Sequence, residues 1–178
     1  MKRISYILLV TLCMILVMQP VSGQGMAALE GYDVGVTGSL GFINGAFMTN
    51  APVGASVVIG TPFGYNVQGF DLTFSAAIGG YSAESGDGNT YAPIVLGVGA
   101  NATIKEMVFA ETHLGLVGAG FGFRGFAGVS LERLMKKSMN LPVNILIGGE
   151  GFLALKPNAD SDNSTYWGGL GIRIDYSL

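Results

Sequence analysis

The feature that most constrains this chain is a two-residue alternation of side-chain character near both of its ends. From Tyr166 to Leu178, alternate residues are mostly apolar or aromatic, and those between them are mostly small or charged. The same alternation runs from Tyr32 to Phe42. A two-residue period is typical of a β-strand whose two faces meet different surroundings. The sequence therefore predicts a strand at each end of the chain, as closure of a barrel requires.

Six further segments alternate in a similar way, at about 53–60, 67–80, 93–104, 107–117, 121–133 and 143–155. Short turns are expected at 61–66, 104–107 and 135–141, and polar loops at 81–92 and 156–165. Glycine supplies 29 of 178 residues and charged residues only 12%, which disfavours helices and an ordinary water-soluble domain. We therefore expect an all-β fold, an antiparallel up-and-down transmembrane β-barrel of about eight strands.

Residues 1–23 have the pattern of a secretory signal peptide. A positively charged start precedes an apolar run from Ile7 to Met18, and small or compact residues end at Gly23. Cleavage is expected after Gly23, with cleavage after Gly25 and an uncleaved membrane anchor as alternatives. The apolar run is short for a membrane span, which needs about 20 residues. Residues 24–178 would then form a single barrel domain.

Cysteine and charge exclude several kinds of site. The one cysteine, Cys13, lies inside the predicted signal peptide, so the mature chain would hold no disulfide, thiolate nucleophile or cysteine metal ligand. The net charge is −3, and loss of Lys2 and Arg3 would lower it to −5. A nucleic-acid-binding face needs clustered Lys and Arg. We expect no cofactor and no nucleic-acid partner.

The alternation resembles that of the small eight-stranded bacterial outer-membrane β-barrel proteins. The likeness covers the mature chain, and its sharpest part is the last strand, with apolar residues at Leu170, Ile172, Ile174, Tyr176 and Leu178. These last residues are similar to the C-terminal signal of that class, in which the final residue is usually Phe rather than the Leu178 found here. The resemblance implies export to the bacterial outer membrane, with periplasmic chaperones and the barrel-assembly machinery as transient partners. Outer-membrane lipids would surround the barrel, and we expect a monomer.

The phase of the alternation places polar side chains in the lumen, namely Asp33, Asp71, Glu111, His113, Arg124, Glu132, Glu150, Arg173 and Asp175. Of these, we expect Glu111, His113, Arg124, Glu150, Arg173 and Asp175 to form a structural polar network, with carboxylates bridged by the two arginines. Side chains fill the interior of an eight-stranded barrel, so a continuous water pore is not expected. An aromatic girdle is predicted at Tyr32, Phe42, Tyr166 and Tyr176.

These patterns favour a non-enzymatic envelope protein whose outward loops have a structural or interaction role. A lipid-modifying outer-membrane enzyme is one alternative. It would use His113, which is the only histidine, and would need a serine or similar nucleophile beside it. The other alternative is a soluble secreted barrel that binds a small apolar ligand. That barrel would bury Leu170 and Ile172 and expose Arg173. We expect no catalytic and no metal-binding residues.

Overall fold

The computed structural model describes residues 29–44, 46–47, 53–84, 90–105, 107–135, 143–155 and 165–178. Backbone contacts divide the chain into two units, residues 1–30 and residues 31–178. Everything described below belongs to the second unit. The predicted signal peptide lies outside the described residues, as do most of the predicted turn at 135–141 and of the loop at 156–165.

Eleven strands and one short helix make up the described part of the second unit. They are β1 (Asp33–Asn44), β2 (Ala46–Phe47), β3 (Val53–Val67), β4 (Phe70–Tyr81), β5 (Ala83–Glu84), β6 (Thr90–Tyr91), β7 (Ile94–Ile104), β8 (Val108–Val117), β9 (Gly120–Ser130), α1 (Leu131–Leu134), β10 (Asn144–Leu155) and β11 (Thr165–Ser177). The eight long strands pair antiparallel in chain order, and β11 pairs with β1. The predicted all-β, eight-stranded antiparallel barrel is confirmed.

The strands are strongly staggered around this barrel. Paired residues can be followed once around it, in the order Asp33, Gly60, Ser75, Gly99, His113, Arg124, Phe152, Trp167 and Asn44. The path returns to β1 about eleven residues from its start, a count that includes one bulge between Gly41 and Ile43. A large stagger tilts the strands, and with eight strands it leaves a lumen that side chains can fill.

The two faces of the barrel wall differ as the alternation predicts. Large apolar side chains on alternate positions face outward, and Val98 and Leu170 are 70% and 60% exposed. The positions between them face the lumen, where Arg124 is 0% exposed. We call the barrel end that holds Asp33 and Ser177 the terminal rim, and the end that holds Asn44 and Thr165 the loop rim.

The predicted second strand, at 53–60, is too short. β3 continues to Val67, so the turn expected at 61–66 lies inside a strand. Pairing with β4 is irregular between Gly60 and Gly64. The hairpin instead turns at Gln68 and Gly69, which both have positive φ, as a two-residue type I′ turn requires. The predicted third strand, at 67–80, correspondingly begins at Phe70.

The predicted strand at 121–133 is too long. β9 ends at Ser130 and the chain continues into α1. Glu132 lies on this helix, so its predicted position on the inner face of a strand is wrong. The connection from β9 to β10 is therefore longer than the short turn expected there. No helix in the described ranges is long and apolar enough to cross a membrane.

Candidate functional site

Four neighbouring strands bring the six predicted lumen residues together. β8 supplies Glu111 and His113, β9 supplies Arg124, β10 supplies Glu150, and β11 supplies Arg173 and Asp175. All are buried except Asp175, which is half-buried. His113 lies directly opposite Arg124 in the strand register. We call these six residues the lumen network.

Arg124 is the centre of the lumen network. Its Nε and Nη2 donate to Glu150 Oε1 at 2.9 and 2.5 Å, and its Nη1 donates to Glu111. Nη2 also donates to Ser56 Oγ at 2.8 Å, and Nε donates to the hydroxyl of Tyr81 at 3.1 Å. Every nitrogen of this buried guanidinium therefore has an acceptor, as burial of an arginine demands.

Glu150 connects opposite walls of the barrel. In addition to the hydrogen bonds from Arg124, the Glu150 carboxylate accepts hydrogen bonds from Ser39 on β1, Ser56 on β3 and Tyr81 on β4. The Ser56 and Tyr81 contacts measure 2.8 and 2.9 Å. These three hydroxyl groups were not among the residues predicted for the lumen network. Ser39 and Ser56 alternate with apolar residues, but this alternation does not reveal which carboxylate they contact, and Tyr81 falls in the polar loop expected at 81–92.

A second branch of the network runs toward the terminal rim. Glu111 accepts from Arg124 with one carboxylate oxygen and from Arg173 with the other. Arg173 Nε donates to Asp175 Oδ1 at 2.5 Å, and its guanidinium lies 4.7 Å from the ring centroid of Phe109. Two arginines thus balance the two fully buried carboxylates, and the half-buried Asp175 adds one negative charge near the rim.

Hydrogen bonds fix the tautomer of His113. Arg124 Nη1 lies 3.3 Å from His113 Nδ1, and an arginine can only donate, so Nδ1 is the acceptor. The ring then carries its hydrogen on Nε2, which lies 2.8 Å from Ser75 Oγ. Ser75 accepts this hydrogen bond and donates its own hydrogen to Asn101 Oδ1 at 2.9 Å.

The hydrogen bond between His113 and Ser75 has the opposite direction to that in a catalytic site with a serine nucleophile. A nucleophilic serine donates to an unprotonated Nε2 while a carboxylate holds the Nδ1 hydrogen. Here Nδ1 faces a guanidinium and Ser75 accepts. The Ser75 side chain is also buried inside the barrel. Spacing in the sequence does not reveal a serine beside His113, but β4 and β8 bring Ser75 next to its ring. The geometry suits a structural contact.

Apolar side chains close the lumen toward the loop rim. The cluster consists of Tyr81, Val95, Val117, Phe152, Ala154 and Trp167. The rings of Phe152 and Trp167 stack 6.1 Å apart with an interplanar angle of 1°. Tyr81 packs 4.9 Å from Trp167 and points its hydroxyl at Glu150. This residue thus joins the apolar cluster to the lumen network.

A polar cavity of about 240 Å³ lies at the terminal rim. Asp33, Asp71, Arg173 and Asp175 contribute to its lining. Asp33 and Asp71 were predicted in the lumen, and both are exposed at this cavity rather than joined to the lumen network. Asp33 accepts from Ser177 Oγ at 2.5 Å. No group of metal-ligating side chains able to hold an ion occurs in the described ranges.

The four predicted girdle residues lie at the two rims. Phe42 and Tyr166 are exposed toward the loop rim, and Tyr32 and Tyr176 are half-buried toward the terminal rim. Their contact with a membrane stays a prediction. Comparison with protein-family models, with curated proteins and with solved structures found no match to this chain.

Proposed function

We propose that this protein is an integral β-barrel of a bacterial outer membrane, with a packed polar lumen as its core and a structural or interaction role in the cell envelope. One observation carries the proposal. The outer surface of the barrel is apolar, with Val98 and Leu170 largely exposed, whereas Arg124 and Arg173 are buried inside. A barrel that folds in water has the opposite arrangement.

The exposed apolar surface is continuous across neighbouring strands. One row of paired residues crosses five strands and consists of Ile78, Leu96, Leu116, Phe121 and Leu155, which are all exposed. Soluble monomers rarely expose an unbroken apolar surface of this extent. A closed sheet satisfies its backbone hydrogen bonds internally, which a membrane-spanning structure needs. This outer surface is therefore suited to the hydrocarbon core of a membrane.

The interior supports a structural role rather than transport. The side chains of Arg124, Glu111 and Glu150 have no exposed surface, so bulk water does not reach these three side chains. The polar network holds together strands that are far apart in the chain. We expect the barrel to act as a rigid support for its loops and to conduct no solute.

Neither alternative fits the interior as well. A soluble barrel for an apolar ligand needs an apolar cavity, whereas the lumen holds paired charges. A lipid-modifying enzyme built on His113 needs a serine that donates to the ring, whereas Ser75 accepts. We therefore propose a non-enzymatic monomer in contact with outer-membrane lipids. Its export would use the predicted signal peptide, periplasmic chaperones and the barrel-assembly machinery.

The test is extraction and gel mobility of the full chain expressed in a bacterium with an outer membrane. Membranes would be washed with alkaline carbonate, and samples run on SDS gels with and without heating. The proposal predicts retention in the membrane pellet and a mobility that changes on heating. A chain that ends at residue 164 lacks β11 and cannot close, so it should show no heat-dependent change. Release of the full chain into the wash, with no mobility change, would contradict the proposal.

A further inference from the structure

β3 continues beyond its pairing with β1 at the terminal rim. Its last partner there is Asp33, which pairs with Gly60, and β3 then runs to Val67. The residues just before β1 bond to the end of β11 instead, since Gly31 N donates to Leu178 O at 3.3 Å. In the described ranges, no strand pairs with the β1-side edge of residues 61–67. The backbone groups on that edge need water or another hydrogen-bonding partner.

The other edge of this segment pairs with β4 from Gly64 onward, after an irregular stretch at 61–63. Pairs run from Gly64 with Thr73 to Val67 with Phe70. Gly64 allows a close approach, because a Cβ there would lie 1.9 Å from the carbonyl oxygen of Leu72. Residues 61–74 thus form a defined hairpin, which we call the hairpin extension.

The two faces of the hairpin extension differ. Asn66 Nδ2 donates to Asp71 Oδ1 at 2.5 Å on the face that continues the lumen side, and Asp71 lines the polar cavity. The outward face is apolar, and Tyr65 on it is 70% exposed. Its ring meets that of Phe74 edge-on at 6.4 Å. Val67, Phe70, Leu72 and Phe74 on this face are also exposed.

We propose that the hairpin extension is a membrane-surface anchor, with its outward face in the membrane–water interface of the leaflet on the terminal-rim side. This inference rests on the proposed function. An unpaired backbone edge is excluded from the hydrocarbon, and an apolar face this exposed is unfavourable in bulk water. The interface meets both conditions, and tyrosine is enriched there because its ring is apolar and its hydroxyl polar. The face is also continuous with the apolar wall, since Phe70 pairs with Ile104 and Leu72 with Ala102.

Spin labels on single cysteines test this placement. The full chain would carry Cys13→Ser to remove its one cysteine, and one added cysteine at Tyr65, Asn66, Gln68 or Val98. Each nitroxide-labelled protein would be reconstituted in phosphatidylcholine vesicles. Collision rates would be measured with oxygen, which concentrates in lipid, and with a water-soluble nickel chelate. Val98 provides the reference for the apolar wall, and the turn residue Gln68 provides the reference for water.

The anchor predicts an oxygen-to-nickel ratio at Tyr65 that lies between those at Val98 and Gln68, and is several-fold higher than that at the neighbouring Asn66. A ratio at Tyr65 equal to that at Gln68, with Val98 still in lipid, would overturn the anchor alone. An immobile label at Tyr65 that neither reagent reaches would also overturn it, since a protein partner would then cover this face. Nickel access at Val98 would overturn the proposed membrane location itself.

Discussion

Replacing Arg124 with methionine should destabilise the barrel by about 3–5 kcal/mol, the usual cost of leaving a buried charge without its partner. Arg124 is the one cation that the described part of the chain brings to Glu150. After the substitution, this carboxylate keeps only the neutral donors Ser39, Ser56 and Tyr81. Methionine has a similar length, so the lost charge and hydrogen bonds dominate the effect.

Two matched variants separate charge from packing. Arg173→Met should cost at least about 1 kcal/mol less than Arg124→Met, because Glu111 keeps Arg124 and the half-buried Asp175 borders the polar cavity. Combining Arg124→Met with Glu150→Gln removes the unpaired charge. The double variant should therefore be more stable than Arg124→Met alone by about 1–3 kcal/mol.

Urea unfolding in lipid vesicles measures these free energies. Trp167 is the only tryptophan and is buried in the apolar cluster, so its fluorescence should report loss of the closed barrel. Gel mobility without heating gives an independent readout. A cost below about 1 kcal/mol for Arg124→Met, or no gain from the added Glu150→Gln, would refute the idea that Arg124 compensates a buried charge.

Two further outcomes follow from close contacts in the wall. Gly99→Ala should destabilise by about 1–3 kcal/mol in urea unfolding, because its Cβ would lie 1.8 Å from the backbone oxygen of Thr112. Gly149→Ala should change the free energy of unfolding by no more than about 0.5 kcal/mol, since a Cβ there would lie 3.8 Å from its nearest neighbour. Equal destabilisation by the two substitutions would contradict the strand register. Nitrogen NMR of His113, the only histidine, should show the hydrogen on Nε2. A hydrogen on Nδ1 would contradict the contact with Arg124.

The fold could be predicted because the two sides of the wall differ so much. Apolar residues outside and glycine, serine and charged residues inside make the two-residue period visible along most strands. The prediction failed at residues 61–66, where Pro62 and Gly64 are typical of turns. Pro62 is tolerated inside β3 because residues 61–63 pair with neither β1 nor β4, so no ladder hydrogen bond needs its missing N–H. It failed also at Glu132, where a one-turn helix is too short to leave a periodic signal.

The charged members of the lumen network could be predicted, but most of their contacts could not. Charged residues are rare in this chain, so those on inward positions stand out. Their partners depend on strand register and stagger, which place Ser75 on β4 beside His113 on β8. Register depends on turn geometry as well as on the side-chain pattern, and the side-chain pattern alone does not specify it here. The contacts of Ser39 and Ser56 were missed for the same reason, whereas Tyr81 was missed because it falls in the loop expected at 81–92 and in fact ends β4.

An arginine placed on the apolar wall would show whether lipid surrounds that wall. Val98→Arg would be compared with Gln68→Arg at the exposed turn, by urea unfolding in vesicles. If lipid surrounds the wall, the arginine should lower the free energy of unfolding by about 2–4 kcal/mol at Val98, as near the middle of a bilayer, and by less than about 0.5 kcal/mol at Gln68. Equal stability of the two variants would mean that water, not lipid, surrounds Val98.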